Sequence, residues 1–311
     1  MHCPTLSELP APPRDKRGWP WTKESAQVPN VTVQARPWPK ITMVTPSYNQ
    51  AAFIEETIRS VLLQGYPNLE YMIIDGGSSD DSVNIIKKYQ QWLTYWTSER
   101  DSGQSAAINK GFGKASGQLY SWLNSDDYLL ESALMHIAIA HFMSPTAGAW
   151  CGGCRIVDAR GNLWTTSWPN RLDLDGIADW HSNYFAQPAC FFSQEAWKQC
   201  GPLDEGLHYE MDFDLWLKIA KGFRIAKVDE PIAAAHVHKS GKIESNLGQT
   251  YAEQWIVQIR HGYEHLAKRD ISQQMDRYTK LVGKLGKISR FPLFKPVVPI
   301  MRIVARRLLW I

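Results

Sequence analysis

Between Ile41 and Asp127, short apolar runs alternate with segments whose apolar residues recur every three or four positions. The run Ile41-Thr42-Met43-Val44-Thr45 predicts a strand ended by Pro46. Ile54, Ile58, Val61 and Leu62 share one face of a helix stopped by Gly65 and Pro67. Tyr71-Met72-Ile73-Ile74 predicts a second strand that ends at Asp75. Ser79 is the expected cap of the next helix, with Asp80 and Asp81 favourable in its first turn. A third strand is expected near Thr94 to Thr97, a helix around Ser105 to Lys114, and a fourth strand over Leu119 to Leu123, before Asp126-Asp127. This alternation gives βαβ units and a mainly parallel sheet, hence an α/β fold. Such sheets bind ligands beyond the carboxyl ends of their strands. Here those ends carry Thr45, Pro46, Ser47 and Tyr48, then Asp75, then Asp126 and Asp127, so this polar rim is the candidate site.

The rest of the chain is less regular. Residues 1–39 hold eight prolines, a density that resists helix and central strand. They read as an extended arm pinned by Trp19, Trp21 and Trp38. Trp150 to Val157 and Leu163 to Trp168 flank a hairpin turn at Asp158 to Asn162. Ala189 to Ser193 and Arg224 to Val228 read as strands, Leu215 to Ile219 as part of a helix, and Tyr251 to Lys268 as one helix.

Composition narrows the class. The chain has 311 residues, 44% apolar and 21% charged, which excludes wholesale disorder and fibrous repeats. It has no run of about 18 apolar residues, so no clean membrane span is expected. Met1 to Leu9 has no basic region followed by an apolar stretch, and the five cysteines are odd in number. A reduced, cytosolic compartment is therefore expected. Cys151 and Cys154 have no second cysteine pair at zinc-site spacing. The net charge of +3 is uneven: Lys280 to Ile311 holds eight Lys or Arg and no acid, leaving the body acidic. The tail Phe291 to Ile311 mixes those cations with apolar residues at helical spacing, which suits a helix lying on an anionic membrane surface. No nucleic-acid partner is expected.

Two adjacent carboxylates, Asp126 and Asp127, repel each other unless a cation or a turn accommodates them. Carboxylate oxygens suit Mn2+ or Mg2+, which also take oxygens from a diphosphate. Asp75, at a strand end before two glycines, suits a hydrogen bond to a base or ribose, or an Asx turn.

Five segments in order resemble the family 2 glycosyltransferases of GT-A fold. They are Thr45-Pro46-Ser47-Tyr48-Asn49; Ile54 to Val61; Ile74-Asp75-Gly76-Gly77-Ser78-Ser79-Asp80; Asp101-Ser102-Gly103-Gln104 with Ala107-Ile108-Asn109-Lys110-Gly111; and Trp122-Leu123-Asn124-Ser125-Asp126-Asp127. The resemblance covers about Ile41 to Lys242. It implies a Rossmann-like nucleotide-binding half at 40–128 and an acceptor-binding half at 129–245, between the arm 1–39 and a C-terminal helical region 246–311. It implies that Thr45, Pro46, Ser47 and Tyr48 meet the nucleotide and that Asp75 reads the uracil. Asp101 and Lys110 then lie near the donor, and Asp126 and Asp127 match the Asp-x-Asp element. Asp127 is the favoured metal ligand and Asp126 a contact to ribose or metal.

Tyr209 to Leu217 resembles the segment that supplies the catalytic base, with Met211 in place of its usual glutamate. Asp212 is the expected base and Asp214 the reserve. His236, His238 and Lys242 resemble a closing motif near the metal or diphosphate, the spacing favouring His238 with Lys242. Gln187 resembles an acceptor-side element. The activity implied is an inverting, metal-dependent transfer from a UDP-sugar to a glycan or lipid-linked glycan acceptor, in bacterial cell-surface polysaccharide synthesis. The expected location is the inner face of the cell membrane, held there by the tail. Two rivals are a non-catalytic nucleotide-sugar-binding scaffold and a nucleotidyltransferase. The latter needs a Gly- and Lys-bearing loop after the first strand, and Thr45 to Asn49 has neither.

Overall fold

A computed structural model describes residues 3–32, 35–238 and 246–288. Lys242 and the tail Phe291 to Ile311 lie outside the described residues.

The chain alternates as the apolar pattern requires. β1 (Ile41–Ser47), α1 (Ile54–Leu62), β2 (Leu69–Asp75), α2 (Ser82–Tyr89), β3 (Tyr95–Ser98), α3 (Gln104–Phe112) and β4 (Leu119–Trp122) form the first half. β5 (Asp127–Leu129), α4 (Ala133–Met143), β6 (Ala149–Asp158), β7 (Leu163–Ser167), α5 (Leu174–Ala178), α6 (Trp180–Asn183), β8 (Cys190–Ser193), α7 (Gln194–Cys200), α8 (Met211–Gly222) and β9 (Ile225–Val237) follow. α9 (Leu247–Arg260) and α10 (Glu264–Ile288) close the described chain.

One nine-stranded sheet runs β3-β2-β1-β4-β8-β6-β9-β5, with β7 paired to β6. The β3-β2-β1-β4 portion is parallel throughout. Every residue of β1 and β2 is buried, as expected for strands covered on both faces. Alternation divides them: Met43, Tyr71 and Ile73 pack with α1, α2 and α4, whereas Val44, Met72 and Ile74 pack with α3 and α8. The chain turns opposite ways from β1 to β2 and β4, so the crevice for a ligand opens at the carboxyl ends of these strands.

Two local expectations are corrected. Ser79 does not cap α2. Its N–H and Oγ donate to Asn49 Oδ1 (2.9 and 3.3 Å), and Asp80 takes the Ser82 N–H (3.0 Å), so the helix starts at Ser82. The helix expected over Tyr251 to Lys268 is two, because Gly262 at φ +91° reverses the chain between α9 and α10.

The arm is built into the core through Arg59 of α1. Its buried guanidinium donates to the carbonyls of Pro10, Pro20 and Trp21 (2.8, 3.1 and 3.0 Å). Trp19 Nε1 donates to the Leu129 carbonyl at 2.7 Å, and Trp38 Nε1 to that of Pro29 at 2.8 Å. All five cysteines are free and buried. Among the described residues no helix is long and apolar enough to cross a membrane.

Candidate active site

A cavity of about 1100 Å³ opens over the carboxyl ends of the parallel strands and is closed on its far side by α8 and the end of β9. Pro46, Ser47 and Tyr48 line it from the end of β1. Thr45 does not. It is buried, and its Oγ1 pairs with the Tyr71 hydroxyl at 3.0 Å. Asn49, at φ +53°, ties this loop to the next: its N–H donates to Ser78 Oγ (2.8 Å) and its Oδ1 accepts from Ser79.

Asp75 differs most from expectation. It is 0% exposed. Its Oδ1 accepts from Ser47 Oγ (3.1 Å) and Ser78 Oγ (2.5 Å), and its Oδ2 from the N–H groups of Gly77 (3.1 Å) and Ser78 (2.9 Å) and from Ser98 Oγ (2.7 Å). A carboxylate offers about four lone-pair positions, so none is left for a base. Asp75 organises the loop instead of facing the cavity. Gly76 lines the cavity, and a side chain there would crowd the Asp101 carboxylate, whose two oxygens would lie 3.1 Å from its Cβ. Asp101 is thus the carboxylate this strand end presents to the cavity; its Oδ1 also accepts from Gly103 N–H at 2.9 Å. Lys110 is not in the cavity. It pairs with Glu99 on the α3 surface.

Asp126 and Asp127 sit on the turn into β5, and both line the cavity. Asp127 is 6% exposed and accepts one side-chain hydrogen bond, from Asn124 Nδ2 at 3.2 Å. Burial, then the Asp126 charge beside it, push its carboxyl well above the usual range. β5 pairs with β9, Asp127 opposite Ala235, which brings His236 and His238 to the doublet. His236 Nδ1 donates to the Asp126 carbonyl at 2.7 Å, and His238 Nε2 lies 3.1 Å from Asp126 Oδ2. Both rings pack on Phe53, at 5.4 and 4.7 Å between centroids, so they share a face and neither is solvated.

Among the described residues, no group of three or more His, Cys, Asp or Glu is arranged to hold a metal by itself. The donor chemistry nevertheless suits a hard divalent cation that completes its shell with substrate oxygens. Two adjacent carboxylates, one buried with a raised pKa, are what such a cation would relieve.

On the opposite wall, Asp212 lies in the first turn of α8 and lines the cavity. Asp214 does not. Two helical residues apart is roughly 200° of rotation, so the carboxylates diverge. Asp214 is 1% exposed and bonded to His261 Nε2 (2.8 Å) and Lys218 Nζ (2.7 Å). Burial alone would raise its pKa, but these two bonds outweigh it and hold the carboxyl below the usual range. Gln187 lines the same wall and donates from Nε2 to the Trp122 carbonyl at 2.8 Å.

Sequence reasoning passed over four contributors. Arg100 and Tyr184 line the cavity, and Gln104 Nε2 braces Asn124 Oδ1 at 2.7 Å. Glu253 of α9 accepts the N–H groups of His208 (2.9 Å to each oxygen), Tyr209 (2.7 Å) and Glu210 (3.1 Å), fixing the loop that enters α8. The apolar periodicity of α9 places Glu253 on a helix but gives no hint of that contact.

Comparisons with known proteins agree with this architecture. An uncharacterized glycosyltransferase of Rickettsia typhi is 26% identical over 222 residues, 68% of this chain and 68% of its own. One from Rickettsia conorii is 27% identical over 235 residues, and there the match spans only 37% of the relative's length. TuaG of Bacillus subtilis, assigned by its name to teichuronic acid biosynthesis, is 36% identical over 94 residues, 29% of this chain and 36% of its own. Among solved structures, residues 1–349 of S. aureus TarS in complex with UDP superpose with a TM-score of 0.57 at 18% identity, over 73% of this chain and 68% of that one. The mannosyltransferase PcManGT from Pyrobaculum calidifontis, in complex with GDP-Man and Mn2+, gives 0.54 at 17% identity, over 91% and 89%. A family profile described as Glycosyl transferase family 2 matches residues 42–200, just over half of the chain. With that match and the GT-A-like sheet beneath the cavity, the chain belongs to glycosyl transferase family 2.

Proposed function

We propose that this enzyme transfers a sugar from a UDP-sugar to an acceptor hydroxyl, with inversion, in the synthesis of a bacterial cell-surface polysaccharide. One observation carries the reading: a single cavity has the Asp126-Asp127 pair on one wall and Asp212 on the other. The nucleotide occupies the half formed by residues 40–128, against Pro46, Ser47, Tyr48 and Asp101, and the acceptor the half formed by 129–245. Asp75 acts here by holding the Gly76–Ser78 loop in shape.

The acceptor oxygen attacks the anomeric carbon while the bond from that carbon to the diphosphate oxygen breaks. The acceptor proton passes to Asp212, and UDP leaves with the bonding pair. One displacement on the face opposite the leaving group inverts the centre. Asp127, Asp126 and His238 would hold Mn2+ or Mg2+, which supplies Lewis-acid neutralisation of the diphosphate charge when bound. His236, through its bond to the Asp126 carbonyl, orients that turn, and Phe53 packs against both imidazole rings. The basic, apolar tail would hold the enzyme on the inner membrane face, where a lipid-linked acceptor resides. The nucleotide complexes of the structural relatives and the assignment of TuaG to teichuronic acid biosynthesis support the donor class and the polysaccharide setting.

The test is UDP affinity with and without Mn2+ for wild type and Asp127→Ala. Wild type is expected to bind more tightly with Mn2+ and the variant to lose that gain. Equal, metal-independent affinity in both sinks the assignment.

A further inference from the structure

The acceptor wall presents two further features to the cavity. Tyr184, just after α6, is 48% exposed and lines the cavity. Its ring is braced from behind: it meets Trp180 edge-on at 5.2 Å, and Trp180 stacks on Phe213 at 4.8 Å. Phe213 directly follows Asp212, so one aromatic stack positions Tyr184 and the base together.

The second feature is Gln187. It is 6% exposed, and its Oε1 has no hydrogen-bond partner among the described residues although its Nε2 is satisfied by Trp122. A buried orphan acceptor is costly unless a ligand donates to it. Gln187 also lines the cavity.

We propose that Tyr184 and Gln187 form an acceptor subsite for a pyranose ring, the sugar stacking on the exposed tyrosine face and donating a hydroxyl to Gln187 Oε1. This rests on the reading of Asp212 as the base, and it makes the acceptor's terminal residue a sugar. A pyranose suits the pair because it offers an apolar C–H face for an aromatic ring and a rim of hydroxyl donors. A lipid alcohol offers neither feature in that combination.

The experiment uses the full chain with UDP and Mn2+ bound. Methyl pyranosides of glucose, galactose, mannose and N-acetylglucosamine are titrated by ligand-observed NMR; their methyl group avoids adding a second aromatic ring. Wild type is expected to bind at least one. Tyr184→Phe keeps that affinity within about twofold, because the ring remains. Tyr184→Ala weakens it about tenfold. Gln187→Leu, which removes the orphan oxygen, weakens it about fivefold. UDP affinity, measured alongside, reports that each variant is folded. If wild type does not bind UDP, the proposed function itself fails. If UDP binds but no pyranoside does, or Tyr184→Ala binds as wild type does, the sugar subsite alone is overturned.

Discussion

Glu253→Ala is expected to destabilise the protein and impair catalysis while sparing the donor site. In the native chain one carboxylate collects the N–H groups of His208, Tyr209 and Glu210 at 2.7–3.1 Å. Hydrogen bonds to a charged acceptor contribute about 1.5–3 kcal/mol each. Water can replace the one at exposed His208, but Glu210 is buried and its N–H would stay dry. The net cost is therefore about 2–4 kcal/mol, or roughly a 3–6 °C fall in melting temperature for a chain of this size. The loop held by Glu253 runs directly into Asp212, so kcat per folded molecule should fall, whereas UDP affinity should not change. Glu253→Gln keeps one acceptor oxygen and should lose about half as much stability. Thermal melts, transfer rates and UDP titration read these effects separately. A Glu253→Ala variant that melts within 1 °C of wild type would refute the loop-holding role. Normal kcat in a destabilised variant would show that the loop does not set the position of Asp212.

Other outcomes are expected at separate places. Asp212→Asn should keep UDP affinity and lose transfer by about 10²–10⁴-fold, the usual contribution of a general base; Asp214→Asn should lose stability instead, and a dead Asp214→Asn beside a wild-type-like Asp212→Asn would reverse the assignment. Glu70 is buried, which by itself raises its pKa, but bonds from Ser116, Thr42 and Lys40 bring it down from 4.5 to about 2. That gap corresponds to about 3 kcal/mol of stability present above pH 4.5 and lost as the pH falls toward 2, so the deficit of Glu70→Gln at pH 7 should shrink across this window in denaturant titrations. An unchanged deficit at pH 2.5 would contradict it. Full-length protein should float with anionic liposomes at low salt and a chain ending at Arg290 should not; equal flotation would rule out the tail as the membrane contact.

The alternating half of the fold was legible because Ile41–Thr45 is rich in β-branched residues, Tyr71–Ile74 is an apolar run and α1 carries a clear helical stripe. The cavity-lining Asp126, Asp127 and Asp212, and His238 beside Asp126, fall in motifs visible in the sequence, since strand ends and helix starts place short segments predictably. What failed depended on partners distant in sequence. Asp75 looked available because its three serine donors come from three different strand ends. Asp214 stood as the reserve for Asp212, and only the packing of His261, 47 residues on, shows where its carboxylate is engaged. Ser79 obeyed the local rule for a cap, but Asn49, 30 residues earlier, took its hydrogen bonds. Glu253 and Tyr184 carried no local signal at all, because each acts through an element it does not belong to.

The Arg59 guanidinium has a consequence for the order in which the molecule can be assembled. During synthesis, the carbonyls of Pro10, Pro20 and Trp21 leave the ribosome before the helix that binds them, and the Leu129 carbonyl that receives Trp19 Nε1 follows 110 residues later. At about 5–20 residues per second, that separation is several seconds of waiting. The arm's bonds to Arg59 can therefore form as soon as α1 does. The Trp19 anchor alone waits for β5. A chain stalled or cleaved before Leu129 has every acceptor of the buried cation but lacks the one for Trp19 Nε1, which marks incomplete molecules by a less firmly held arm.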